Sequence, residues 1–313
     1  MLIDYAAITH LGKVRKNNED AYLVNALDGE EPIVNGPLRM QKVCKSGLLA
    51  AVADGMGGAA AGEVASREGL AAVALHIFGY WGRFPAEDAT EEGLLETLKV
   101  ATEGASESVL RYSDNDRSSR GMGSTLTAAV LWNGFAYISQ VGDSRAYLFR
   151  RGELLQLTVD QTLVNEMVKS GTLTREQART HPQRNMITQA IGAPQPITAV
   201  LGKVPLRRGD RLLLCSDGLH GEISDARIQA NLAYGYSTRR TLELMLEEVL
   251  FHGARDNVTA LLLALDDPGF PLPGEGEIPV VINPFEPLPK ARPAKDSKRD
   301  SKRGGWRIFG GGS

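Results

Sequence analysis

Four aspartates stand at the ends of apolar runs. Asp54 closes the run in LLAAVADGMGG and is followed by Gly55, Gly57 and Gly58. Asp217 and Gly218 repeat the arrangement in RLLLCSDGLHG, Asp256 precedes a run in GARDNVTALLL, and Asp143 lies between two runs in QVGDSRAYL. Taken singly each is ordinary, because Asp-Gly is first of all a turn dipeptide and Asp beside a strand is often an end cap. Asp28-Gly29 reads as a turn and nothing more. The combination says more. A strand buried on both faces sets its last residue beside the ends of its neighbours, so several carboxylates can meet at one rim. Clustered carboxylates repel, and cations among them make the cluster tolerable. Oxygen donors, a glycine carbonyl such as that of Gly55 included, select Mg²⁺ or Mn²⁺ over Zn²⁺. Glycines at 55, 57 and 58 let backbone approach such ions, and the five histidines form no zinc-spaced pair.

A cation joins the acids. GKVRKNNEDAYLV sets Arg15 shortly before Glu19 and Asp20, which open another apolar run. The planar fork of arginine bonds two phosphate oxygens at once and suits a phosphoryl group held beside metals. By itself the segment also reads as a solvated charged turn.

These residues converge only if strands end at a common rim. Strand-like runs cover Ile3 to Thr9, Ala21 to Val24, Leu48 to Ala53, Ser124 to Trp132, Phe135 to Val141, Ala146 to Arg150, Ile197 to Val204, Arg211 to Cys215 and Val258 to Leu265. Helical spacing covers Gly62 to Phe78, Glu91 to Tyr112, Thr162 to Ser170 and Thr238 to Phe251. Strands come in groups instead of alternating with helices, which predicts antiparallel sheets covered by helices, an α+β layered fold. Trp132-Asn133-Gly134-Phe135 and Arg150-Arg151-Gly152-Glu153 carry the sharpest hairpin signals.

The chain divides near residue 267. Residues 268–313 hold eight of the fifteen prolines and end in a glycine run, so they read as an extended, disordered tail after a body of residues 1–267. From Lys290 onward the net charge is +6, which leaves −9 on residues 1–289 of a chain whose total is −3. An acidic body with 6% aromatic residues offers neither the basic surface nor the stacking platform of a nucleic-acid binder. Cys44 and Cys215 build no disulfide framework, and with no membrane span or secretory signal in the sequence, the expectation is a cytoplasmic monomer. The tail's basic cluster before Trp306, Ile308 and Phe309 has the chemistry of a contact with a partner or an anionic membrane; added solubility is the simpler reading.

The pieces, in their order, resemble the motif series of the metal-dependent type 2C serine/threonine protein phosphatases (PPM family) in its bacterial form. They are RKNNED at 15–20, DGMGG at 54–58, GMGSTL at 121–126, VGDSR at 141–145, SDGL at 216–219 and DNVT at 256–259, and the resemblance covers roughly residues 1–266. It implies a four-layer αββα sandwich of two antiparallel sheets flanked by paired antiparallel helices. The implied activity is hydrolysis of phosphoserine and phosphothreonine in proteins by a metal-bridged hydroxide, opposing a bacterial Ser/Thr kinase.

Carried over by residue, Asp54 would bridge two Mn²⁺ or Mg²⁺ ions, and Asp217 and Asp256 would complete the first. The Gly55 carbonyl and the Glu19/Asp20 pair would serve the second, with either acid of the pair as the direct ligand. Asp143, with Asp217, matches the position of a third, weaker metal, and Arg15 matches the substrate-phosphate ligand. Two positions depart from common family patterns. Met56 stands where eukaryotic members have a histidine proposed as general acid, so no side-chain acid is assigned, and Gly221 stands where many members carry Asp or Asn. His220 is expected to be a surface or turn residue. The segment Leu157 to Pro196 corresponds to a flap whose Arg175, Arg179 and Arg184 would meet acidic or phosphorylated partners or simply face solvent. Two other functions compete: a pseudoenzyme that binds phosphoproteins, disfavoured by the joint presence of Arg15, Asp54, Asp217 and Asp256, and a two-metal hydrolase of phosphodiesters or small phosphates.

Overall fold

A computed structural model describes residues 2–27, 34–35, 41–42, 47–57, 61–83, 88–277, 279 and 281. Asp28-Gly29, Cys44, Gly58 and the tail from 282 onward, with Trp306, Ile308 and Phe309, lie outside the described residues. The strands are β1 (Leu2–His10), β2 (Asp20–Ala26), β3 (Gln41–Lys42), β4 (Leu48–Met56), β5 (Gly123–Ser124), β6 (Leu126–Trp132), β7 (Phe135–Val141), β8 (Arg145–Arg150), β9 (Glu153–Gln156), β10 (Val200–Pro205), β11 (Asp210–Cys215) and β12 (Val258–Leu265). The helices are α1 (Ala61–Arg83), α2 (Glu91–Asn115), α3 (Leu163–Lys169), α4 (Arg175–Thr180), α5 (Asp217–His220), α6 (Asp225–Ala233) and α7 (Thr238–His252).

Two antiparallel sheets result, one ordered β3-β1-β12-β11-β8-β9 and the other β10-β7-β6-β4-β2, with β5 paired to β4. The period of two along a strand makes the layers. Leu48, Ala50 and Val52 of β4 meet Leu261, Leu263 and Leu265 of β12 in a core between the sheets. Leu49, Ala51 and Ala53 turn the other way, against α1 and α2, while Val258, Ala260 and Leu262 of β12 turn against α5, α6 and α7. Central strands buried on both faces must be apolar throughout, which is why β4 and β12 read as unbroken runs. The order helix, sheet, sheet, helix is the expected α+β sandwich.

Both hairpin signals hold. Asn133 and Gly134 have φ of 48° and 80°, Arg151 and Gly152 of 50° and 88°, the paired positive values that a two-residue turn between twisted strands requires. The run expected from Ser124 to Trp132 is instead split at Thr125 into β5 and β6. Short elements without a period of their own, α4, α5 and α6, carry no sequence signal, and β9 is marked only by the hairpin turn before it.

The chain goes on packing after Asp267. Phe270 is buried in the core between the sheets, with Val281 against it. Arg150, 1% exposed, donates to both oxygens of Asp210 at 2.8 and 2.7 Å, to the Pro205 carbonyl at 2.7 Å and to Glu277 at 3.4 Å. A buried guanidinium needs partners of this kind, since an unpaired charge there is costly.

Candidate metal and phosphate site

The acids gather where the two sheets end together. Asp20 opens β2 and lies opposite Asp54 in the β2/β4 ladder. Asp217 opens α5 directly after β11, Asp256 precedes β12, and Asp143 sits in the turn between β7 and β8. Ser216 ties the sheets at this rim, its hydroxyl donating to Asp20 Oδ2 at 2.7 Å and accepting the Thr259 N–H at 3.0 Å.

The backbone of Asp54 is held by the break between β5 and β6. Its N–H donates to Thr125 Oγ1 and its carbonyl accepts from the Thr125 N–H and the Ser124 hydroxyl, each at 2.9 Å. Thr125 Oγ1 in turn lies 2.6 Å from the Ser144 hydroxyl, next to Asp143. Ser124 stays paired with Gly55 in the β4/β5 ladder, while Thr125, between β5 and β6, turns its hydroxyl to the Asp54 N–H. Gly55 has a matching reason: a Cβ there would stand 2.0 Å from the Gly62 carbonyl oxygen and 2.6 Å from that of Glu19. At Gly218 a Cβ would meet the Asn257 carbonyl oxygen at 1.8 Å. The glycines after Asp54 and Asp217 let backbones approach so closely that no side chain fits between them.

Burial and mutual repulsion hold Asp20, Asp54, Asp143 and Asp217 in the protonated form to unusually high pH. Asp20 is pushed up to about 7, chiefly by burial, with the charges of Asp217 and Asp256 adding and the Ser216 hydrogen bond opposing. Asp143 is pushed up to about 8 by burial and then by Asp217 and Asp160. Asp54 lies well above the ordinary carboxylate range because it is buried, with Asp20, Asp217, Asp143 and Asp256 adding. Asp217 is raised by burial and by Asp256, and Glu19 by burial against the pull of Arg15.

Two buried oxygens, Asp20 Oδ1 and Asp217 Oδ1, have no hydrogen-bond partner. Among the described residues no three His, Cys, Asp or Glu side chains form a closed metal cage. The carboxylates are thus neighbours within electrostatic reach, not a finished coordination shell. The orphaned oxygens decide how well cations fit, because a buried acceptor left bare is costly and an oxygen-binding cation satisfies it.

Arg15 Nη2 lies 2.6 Å from Asp256 Oδ2, with its side chain 49% exposed, so the expected phosphate ligand reaches the rim from the open side. Of the adjacent acids, Asp20 is buried and Glu19 half-buried. Glu19 also contributes its backbone, whose carbonyl accepts from the Gly55 N–H at 3.1 Å and the Ser66 hydroxyl at 2.7 Å. His220, expected as a surface or turn residue, is half-buried at the end of α5, against the turn at Gly221. Its Nε2 bonds the Asp143 carbonyl at 3.1 Å, and burial, with Arg145 nearby, lowers its pKa to about 3, which keeps the ring neutral. At Gly221 a Cβ would stand 2.7 Å from the Asp217 carbonyl oxygen, so glycine suits the tight turn that closes α5. Arg175 and Arg184 of the flap are exposed, while the Arg179 side chain is outside the described residues.

Sequence reasoning assigned no role to Ser124, Thr125, Ser216 or Asn257. All four stand inside the motifs quoted above, but their partners are distant in sequence.

The family model described as protein phosphatase 2C matches residues 39–262, which leaves Arg15, Glu19 and Asp20 before its start. The chain is 35% identical over 270 residues to the serine/threonine protein phosphatase PstP of Mycobacterium tuberculosis, covering 85% of this chain and 46% of that protein. It is 32% identical over 259 residues to the serine/threonine phosphatase stp of Listeria monocytogenes, covering 82% and 94%. A solved structure of the PstP catalytic domain in complex with two manganese ions superposes with a TM-score of 0.67 at 32% identity, covering 85% of this chain and 99% of that one. The chain therefore spans about half the length of PstP and nearly all of stp. With the sandwich and its rim of aspartates, these matches make the chain a member of the protein phosphatase 2C family.

Proposed function

We propose that this protein is a metal-dependent phosphatase that hydrolyses phosphoserine and phosphothreonine in proteins, acting against a Ser/Thr kinase. The observation that carries the reading is the cluster of buried Asp20 and Asp143 with half-buried Asp54 and Asp217, with raised protonation and two bare oxygens, beside the exposed guanidinium of Arg15. The relatives are named serine/threonine phosphatases, and one solved relative holds two manganese ions.

In this reading Asp54, Asp217 and Asp256 hold one Mn²⁺ or Mg²⁺. Asp54, the Gly55 carbonyl and the Glu19/Asp20 pair hold a second, with buried Asp20 the better direct ligand. Asp143 and Asp217 offer a third, weaker position. When bound, such a pair of ions lowers the pKa of a water and offsets charge on the phosphoryl oxygens. Arg15 binds the phosphate by its fork and orients it. Met56 offers no proton, and neutral His220 is engaged with the Asp143 carbonyl, so neither side chain serves the leaving alkoxide as an acid. The protein is read as a cytoplasmic monomer, and the basic cluster before Trp306, Ile308 and Phe309 as a contact for a partner or an anionic membrane surface.

The test is hydrolysis of p-nitrophenyl phosphate and of a phosphothreonine peptide with Mn²⁺, Mg²⁺ or chelator. Turnover should require metal, and Asp54→Asn or Asp217→Asn should lower kcat by about a hundredfold or more. Peptide binding without turnover in any metal would replace this reading with that of a phosphoprotein-binding pseudoenzyme.

A further inference from the structure

We propose that Asn257 is the positioning residue for Arg15, its amide clasping the loop 11–19 at both ends and so setting where the phosphate-binding guanidinium stands. The proposal rests on the phosphatase reading for the role of Arg15, but its geometry is independent of that reading. Asn257 is 4% exposed. Its Nδ2 donates to the carbonyls of Leu11 and Asn17, each at 2.9 Å, and its Oδ1 accepts the Glu19 N–H at 2.9 Å. These three points bracket Arg15 on both sides. A loop with this many exposed side chains would otherwise be among the mobile parts of the molecule. Only a carboxamide offers donors and an acceptor at once for such a clasp; a carboxylate has no donor and a hydroxyl has one.

Two further contacts mould the loop onto the turn before β12. The Lys13 N–H donates to the Ala254 carbonyl at 2.8 Å. Gly12, at φ 78°, lies so near that a Cβ would stand 2.2 Å from the Asp256 carbonyl oxygen. Arg15 projects from the middle of this fastened loop to Asp256, the residue next to Asn257. On its other side, Asn257 presents its own carbonyl to Gly218, beside Asp217. One buried residue thus keeps the segments bearing Arg15, Asp256 and Asp217 in register.

Inhibition by inorganic phosphate reads the surroundings of Arg15 directly. Asn257→Ala should raise the phosphate Ki and the KM for a phosphothreonine peptide about tenfold, with a smaller change in kcat. Calorimetric Mn²⁺ affinity should stay within about threefold of wild type, and in an Arg15→Ala background Asn257→Ala should cost little more, because residues acting through one another do not add. Gly12→Ala, which pushes the same loop off the turn that carries Asn257, should reproduce the pattern and keeps the test open if Asn257→Ala does not fold. An unchanged Ki in both variants, or full additivity with Arg15→Ala, would overturn the proposal. So would a fall in Mn²⁺ affinity that matches the rise in Ki, since Asn257 would then act through Glu19. A wild type without turnover would instead fail the phosphatase reading, with calorimetric phosphate binding still available to test the clasp.

Discussion

Asp20 and Asp143 are buried carboxyls whose neighbours are also carboxyls, and this decides how they respond to pH. Their folded-state values, about 7 and about 8, lie above the ordinary 3.8. Between those limits the folded protein therefore holds more protons than the unfolded chain, so stability in chelator falls as pH rises from about 4 to about 8. A divalent cation favours the ionised form and should reverse the trend. The rise in melting temperature caused by Mn²⁺ should accordingly be larger at pH 8 than at pH 5.5, as measured by thermal denaturation with Mn²⁺ or chelator. A Mn²⁺ shift that does not grow with pH would contradict the assignment of these residues to a cation. Ser216 sharpens the arrangement by occupying Asp20 Oδ2, which leaves Oδ1 bare.

Among the elements, those that end at the rim are closed by glycines with little freedom to change. A Cβ at Gly218 would lie 1.8 Å from the Asn257 carbonyl oxygen, where only backbone could yield. Gly218→Ala should lower unfolding free energy by about 1–3 kcal/mol and activity on p-nitrophenyl phosphate by more than about tenfold. Gly79, exposed in α1 with nothing within 4 Å of a Cβ, supplies the contrast. Gly79→Ala should stabilise by about 0.5–1 kcal/mol and leave activity unchanged, because glycine in a helix interior costs entropy. Urea denaturation of both variants beside their turnover separates the two cases. Equal effects at both positions would show that the close approach at Gly218 does not matter.

For the whole molecule, the sandwich is closed by chain beyond the expected boundary at 267. Phe270 fills the core between the sheets, and Glu277 reaches both Arg150 and Arg207. A chain ending at Asp267 loses these groups, and removing one buried phenyl ring alone costs about 3–5 kcal/mol. It should melt well below the full chain, whereas a chain ending at Val281 should match it in melting temperature and in turnover of an aryl phosphate. Equal stability of the two truncations would restore the boundary at 267.

The acidic rim was legible because Asp54, Asp143, Asp217 and Asp256 stand at or near the ends of strands buried on both faces, and such strands announce themselves as unbroken apolar runs. The layer order followed from strands arriving in groups, and the turns at Asn133-Gly134 and Arg151-Gly152 from their residue types. Local spacing carries that much, since a strand's period and a turn's φ depend on adjacent residues. The choice of partners does not. That Asp20 is more buried than Glu19, that His220 faces inward to Asp143, that Asn257 clasps Leu11, Asn17 and Glu19, and that Phe270 completes the core all depend on contacts between segments far apart in the chain. A carboxamide or a histidine looks the same in sequence whether it meets solvent or a carbonyl far along the chain, 240 positions away for Asn257 and 77 for His220, and only the packing of one sheet on the other decides which.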